Sequence, residues 1–173
     1  MSVTLILGGA RSGKSKRAES YARNSDKRVI YIATAPRIED DDEWMQRLAQ
    51  HRNSRPAHWQ TVEEQLNLIS VLQKSTPDEL LLIDCATLWL SNLMWAEKDV
   101  ASEVAQFCAI LSQTKSDVIL VSNELGMGLV PETALGRAFR DAQGRMNQQL
   151  AGIADCVEFI AAGLPITLKG EKQ

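Results

Sequence analysis

Short apolar runs recur along the chain, each separated from the next by room for a helix. Residues 3–7, 28–33 (RVIYIA), 80–84 (LLLID), 117–122 (DVILVS) and 157–161 (VEFIA) are nearly continuous in aliphatic and aromatic residues. Runs of this length without polar alternation predict strands buried on both faces. The intervening segments predict helices over 14–24, 41–55, 64–74, 86–97, 101–114 and 134–153. Weaker strands are expected at 58–62 and 164–168, where Pro165 suits an edge. Four acids at 39–42 suit the N-terminus of the second helix. Pro56 ends that helix, because the residue before a proline avoids the α region. Strands alternating with helices predict an α/β fold with a mostly parallel sheet flanked by helices.

Length and charge narrow this picture. The 173 residues suit a single domain spanning 1–173. A net charge of −3 supplies no basic surface, so nucleic acid is not an expected partner. The three cysteines, Cys85, Cys108 and Cys156, form no CxxC pair and fit reduced thiols in the cytoplasm better than a disulfide framework or a zinc site. The apolar run at the N-terminus is too short for a signal segment, and no run approaches the ~20 apolar residues of a membrane span. The tryptophans, Trp44, Trp59, Trp89 and Trp95, are expected to pack in the core or at an interface rather than to serve as ligand platforms, with Trp59, next to the charged 51–55 region, the first candidate for an exception.

Residues 8–15 read GGARSGKS, a full match to GxxxxGK[ST] placed after an apolar strand and at the start of a helix. Gly8 and Gly13 permit the bend, and successive N–H groups of Gly9, Ala10, Arg11 and Ser12 face one anion at a helix N-terminus. Lys14 reaches the β- and γ-phosphates, and the Ser15 hydroxyl suits Mg²⁺. Arg11 is either a phosphate contact or a solvated loop charge. Asp84 ends the LLLID strand, where P-loop proteins place a metal-side acid. Capping the following helix is a role compatible with that one.

Only two histidines occur, His51 and His58. Arg47, His51 and Arg55 share one helical face by their spacing, and Arg52 adds charge nearby. An imidazole among guanidiniums is driven toward its neutral, nucleophilic form. The arginines can hold a triphosphate and stabilise departing pyrophosphate. A surface histidine among solvated arginines accounts for the same spacing.

Further segments accompany these. YIATA at 31–35, QHRNSRPAHWQTVEE at 50–64, LLLIDC at 80–85, VSNELGMGLVPE at 121–132 and GRMNQQLA at 144–151 follow the GGARSGKS loop in order. Together they closely resemble the bifunctional adenosylcobinamide kinase/adenosylcobinamide-phosphate guanylyltransferase family over essentially the whole chain. The resemblance implies a RecA-like P-loop fold and two reactions in cobalamin biosynthesis. ATP or GTP phosphorylates adenosylcobinamide, and GMP then passes from GTP to adenosylcobinamide phosphate through a GMP–histidine. It implies His51 as that histidine, with Gln50 where some members carry a second one, and His58 as the fallback. It implies nucleotide contacts at residues 8–15, Ala33, Thr34, Ala35, Arg52, Glu63 and Asp84, and assembly as a homotrimer. Asn123 and Glu124 are expected on the cobinamide or metal side, or as loop structure. Two alternatives share the loop but give the His51 segment no role: another small-molecule P-loop kinase and a non-catalytic nucleotide-binding module.

Overall fold

The computed structural model describes residues 1–38, 40–53 and 55–170, with only the backbone of Arg47 and His51. The strands are β1 (Val3–Gly8), β2 (Arg28–Ala33), β3 (Gln60–Glu63), β4 (Glu79–Asp84), β5 (Asp117–Asn123), β6 (Cys156–Ala161) and β7 (Leu164–Lys169). The helices are α1 (Lys14–Arg23), α2 (Asp42–Asn53), α3 (Leu68–Lys74), α4 (Ala86–Trp95), α5 (Val100–Leu111) and α6 (Ala134–Ile153). One sheet runs in the order β3-β2-β4-β5-β1-β6-β7. All neighbours are parallel except β6 and β7, which form an antiparallel hairpin at the edge. Pro165 lies on that edge strand, where its missing N–H costs no ladder bond.

The pleat sorts the apolar runs onto two faces. Leu5, Ile30, Ile32, Leu81, Ile83, Val118 and Leu120 point toward α3, α4, α5 and α6. Ile6, Val29, Tyr31, Leu80, Leu82, Ile119 and Val121 point toward α1, meeting Ala18 and Ala22. Burial on both faces explains why the strands read as continuous apolar runs. Leu5, Ile32, Leu82 and Ile83 are each fully buried, worth ~1.5–3 kcal/mol apiece before conformational entropy is counted. Across the larger core, Trp89 and Phe107 pack with ring centroids 4.8 Å apart.

The third helix is shorter than the 64–74 segment expected from periodicity. The Glu64 N–H bonds to the Ala33 carbonyl at 3.0 Å, so the chain is still following β2 at that point. The Glu64 carboxylate then accepts the N–H groups of Leu66 and Asn67, both at 2.8 Å, and stabilises a turn before the helix begins. Trp59 also departs from expectation. It is buried in the α1-side core, with the Arg23 guanidinium 5.6 Å from its ring. Trp95, at the end of α4, is the exposed tryptophan.

Candidate nucleotide site at the carboxyl edge of the sheet

In a parallel sheet the strand carboxyl ends and the helix N-termini share one edge, where ligands bind in folds of this class. β1 ends there at Gly8, β2 at Ala33, β4 at Asp84 and β5 at Asn123. Gly8 and Asn123 are register partners, as are Ala33 and Asp84.

Residues 8–15 form a tight loop between β1 and α1. Gly8 (φ 153°) and Gly13 (φ 103°) both take backbone conformations that disfavour side chains. A Cβ on Gly8 would lie 2.5 Å from the Ile160 carbonyl oxygen, so only glycine fits. Gly13 is also the N-cap of α1, leaving the first-turn N–H groups free to face an anion. The Ser12 N–H donates to the Gly9 carbonyl, and the Gly163 N–H donates to the Ser12 carbonyl at 2.9 Å. The β6–β7 turn thus braces the loop from behind. Gly9 is half-buried, while Ala10 and Arg11 are exposed, with Arg11 at φ 55°. The Ser12 hydroxyl oxygen is buried without a protein partner, as expected of a donor meant for a ligand.

Lys14 is 7% exposed, and its ammonium donates to the Gly9 carbonyl at 2.7 Å. Burial lowers its pKa, partly opposed by Cys85 and Asp84. Ser15 is half-buried in the same first turn. Asp84 stands at the end of β4, and its Oδ2 accepts the Tyr31 hydroxyl at 2.7 Å. The N-cap of α4 is Cys85, with no side-chain capping bond. Asp84 therefore does not cap α4, because its carboxylate faces the α1 side of the sheet.

Thr34 is fully buried. Its hydroxyl donates to the Cys85 carbonyl and accepts the Cys85 N–H, both at 2.8 Å, tying the end of β2 to the end of β4. Ala33 and Ala35, on either side, are half-buried. Glu63 ends β3, exposed and paired with Arg37 at 2.8 Å. That bond holds its carboxyl below the usual range, with Arg52 and Arg55 adding smaller contributions.

His51 lies in the last turn of α2, and its side chain, like that of Arg47, is outside the described residues. Arg52 is exposed and His58 sits in an exposed turn. Arg55 returns to the sheet, with its guanidinium carbon 3.5 Å from the centre of the Tyr31 ring. The sequence reading missed Tyr31. Its signal was a polar tip inside an otherwise apolar central strand.

Glu124 accepts the N–H groups of Gly126 and Met127, so its carboxylate shapes its own loop. Asn123 is pinned through its backbone. Its N–H donates to the Thr87 hydroxyl at 2.7 Å, and its carbonyl accepts from Asn147 at 2.9 Å and Gln143 at 3.2 Å.

Residues 4–168 match the profile of the cobinamide kinase / cobinamide phosphate guanyltransferase family. The chain belongs to that family. It is 45% identical over 170 residues to the bifunctional adenosylcobalamin biosynthesis protein CobP of Pseudomonas aeruginosa, covering 96% of this chain and 97% of that protein. It is 38% identical over 181 residues to the bifunctional adenosylcobalamin biosynthesis protein CobU of Escherichia coli, covering 95% of this chain and 98% of that protein. Among solved structures, a protein from Pyrococcus horikoshii superposes with a TM-score of 0.55 at 10% identity, covering 99% of this chain and 88% of that one. An ATPase of a bacterial type III secretion system superposes at 0.54 with 12% identity, covering 96% of this chain and 56% of that one. These likenesses bear on the fold, which is the RecA-like P-loop architecture.

Proposed function

We infer that this chain phosphorylates adenosylcobinamide and then transfers GMP from GTP to adenosylcobinamide phosphate, in cobalamin biosynthesis. The observation that carries the reading is family membership along nearly the whole chain, joined to a preformed phosphate loop with Lys14 and Asp84 at one edge.

Both reactions need a site that neutralises a nucleoside triphosphate. The loop N–H groups, the N-terminus of α1 and Lys14 hold the phosphates. Attack by the aminopropanol hydroxyl of adenosylcobinamide on the γ-phosphorus releases the nucleoside diphosphate. Attack by His51 on the α-phosphorus of GTP releases pyrophosphate and leaves GMP on the imidazole. A phosphate oxygen of adenosylcobinamide phosphate then displaces the imidazole and takes the GMP. Arg52 and Arg55, close to His51 in the chain, balance the charge of the leaving pyrophosphate. Ala33, Ala35 and Glu63 line the nucleotide side, and the buried Thr34 supports them.

Ser15 and Asp84 offer a hydroxyl and a carboxylate oxygen, a donor pair that suits a hard cation such as Mg²⁺. When bound with the nucleotide, Mg²⁺ would supply positive charge against the β- and γ-phosphates. No helix among the described residues is long and apolar enough to cross a membrane. The three cysteines are buried and form no disulfide, which supports a cytoplasmic setting. Exposed Met127, Leu129, Val130 and Leu135, with Leu164, Ile166 and Leu168 of β7, supply apolar surface for a homotrimer.

Incubation with α-labelled GTP followed by denaturation tests the reading. Acid-labile, base-stable label is expected on the protein, and adenosylcobinamide phosphate is expected to discharge it as adenosylcobinamide-GDP. Turnover without protein-bound label would remove the covalent route. Absence of both label and turnover would leave only a nucleotide-binding module.

A further inference from the structure

Tyr31 is 2% exposed, so its hydroxyl is almost wholly removed from water. A buried hydroxyl needs a partner, and this one donates to Asp84 Oδ2 at 2.7 Å. The pleat brings the two together. Tyr31 and Leu82 are register partners and both point into the α1-side core. Asp84, two residues beyond Leu82, continues that face. A phenylalanine would fill the same space, so packing does not account for the oxygen. A phenol is protonated at neutral pH, so it donates to the carboxylate and holds it without neutralising it.

The ring has a second neighbour. The Arg55 guanidinium stacks on it at 3.5 Å, a partly desolvated cation–π contact. Arg55 Nε is buried without a partner, and Nη1 reaches the Thr61 hydroxyl only at 3.4 Å. The ring is thus the main seat of this guanidinium. One side chain touches both the acid of β4 and the arginine that ends the HRNSR run after α2.

We propose that Tyr31 is a positioning residue that joins the two halves of the site: its hydroxyl orients Asp84, and its ring seats Arg55 and with it the end of the helix bearing His51. The proposal rests on the reading of Asp84 as the metal-side acid. Asp84 Oδ2 is committed to Tyr31, which leaves Oδ1 as the oxygen available to a cation. Losing the hydroxyl frees the carboxylate to rotate, while losing the ring frees the chain that follows His51.

Tyr31→Phe removes the hydroxyl alone, and Tyr31→Leu removes the stack as well. Magnesium chloride is titrated against GTP and wild-type or variant protein in a calorimeter, which reads nucleotide binding without turnover. Tyr31→Phe is expected to raise the half-saturating magnesium concentration by about tenfold, as supporting residues around metal ligands do. Tyr31→Leu is expected to lower the rate of GMP labelling at saturating magnesium by about tenfold or more, since a misplaced nucleophile is costly. Circular dichroism checks the fold. If Tyr31→Leu does not fold, Arg55→Gln replaces it and breaks the stack from the other side. If Asp84→Asn shifts the magnesium curve and Tyr31→Phe does not, the proposal falls and the reading of Asp84 stands. If Asp84→Asn shifts nothing, that reading fails and takes the proposal with it. Wild-type labelling by a folded stack-breaking variant overturns the seat for Arg55.

Discussion

The phosphate loop follows β1 and the histidine segment lies between β2 and β3, and the two are built differently. The loop hangs from β1, with β5 on one side and β6 on the other. Its lysine is buried, and its helix is anchored by Arg17, whose Nε and Nη2 each donate to Glu158 at 2.8 Å. The turn after β6 braces it from behind. The histidine segment enters through α2, whose described side chains are exposed or half-buried, and leaves through β3, a four-residue outer strand paired, among the described residues, with β2 alone. Backbone groups that bind charge must stand in place before the ligand arrives, because their catalytic value lies in preorganisation. A nucleophile that attacks one phosphorus while another substrate attacks a different one gains from a less buried support.

Removing the loop's cation tests this contrast most severely. Lys14→Ala is expected to lower both phosphorylation and GMP transfer by about two to four decades, the cost of losing a preorganised charge. The variant is expected to remain folded by circular dichroism. Loss of one activity alone would mean that the two reactions do not share this cradle. Unchanged GTP affinity in calorimetry would take Lys14 out of binding.

His51→Ala tests the other half. Protein-bound label and GMP transfer are expected to vanish, while phosphorylation of adenosylcobinamide keeps most of its rate, since γ-transfer to a hydroxyl needs no imidazole. His58→Ala is expected to keep its label. GMP found on His58 by mass spectrometry would move the nucleophile to the exposed turn before β3.

The anchor of α1 sharpens the comparison through stability. Glu158 is 1% exposed and also accepts the Tyr21 hydroxyl at 2.6 Å. The Arg17 bonds, helped by Tyr21, outweigh burial and hold its carboxyl below the usual range. A depressed carboxyl stabilises the fold above its unfolded value of roughly 4.3 and loses that contribution as pH falls through the folded one. Glu158→Gln is expected to cost about 1–3 kcal/mol at pH 7. Chemical denaturation is expected to show this difference shrinking below about pH 4. A difference that is flat with pH would assign the effect to packing rather than to the ion pair.

Much of the fold was readable from the chain because the strands are buried on both faces. Such strands announce themselves as apolar runs, and β2 and α6 begin and end where periodicity placed them. The phosphate loop was readable because its glycines answer local backbone requirements at Gly8 and Gly13. Interactions decided across strands were not readable. Trp59 was expected as the exception to core or interface packing but lies in the core, a matter of how β3 docks on β2. Asp84 was offered a capping role, but Cys85 takes the N-cap position of α4 and Asp84 accepts the Tyr31 hydroxyl instead, a bond that depends on β2–β4 register. Glu64 was assigned to the helix expected over 64–74, yet its carboxylate stabilises the turn that precedes the helix.

The smallest effect is expected on the exposed side of the comparison. Arg37 and Glu63 pair at 2.8 Å with about half of each side chain in solvent. Pairs of this kind contribute roughly 0–1 kcal/mol, so Arg37→Ala is expected to leave the melting temperature nearly unchanged. Its consequence is expected in binding. If Glu63 contacts GTP as a carboxylate, affinity falls as acid protonates it, and Arg37 postpones that fall to lower pH. Without Arg37 the carboxyl titrates closer to its ordinary value, so the loss of affinity begins at higher pH. Calorimetric titration of GTP from pH 4 to 7 checks the shift, with Glu63→Gln as the variant expected to show no such dependence. Superimposable curves for wild type and Arg37→Ala would make the pair a surface contact without influence on the nucleotide.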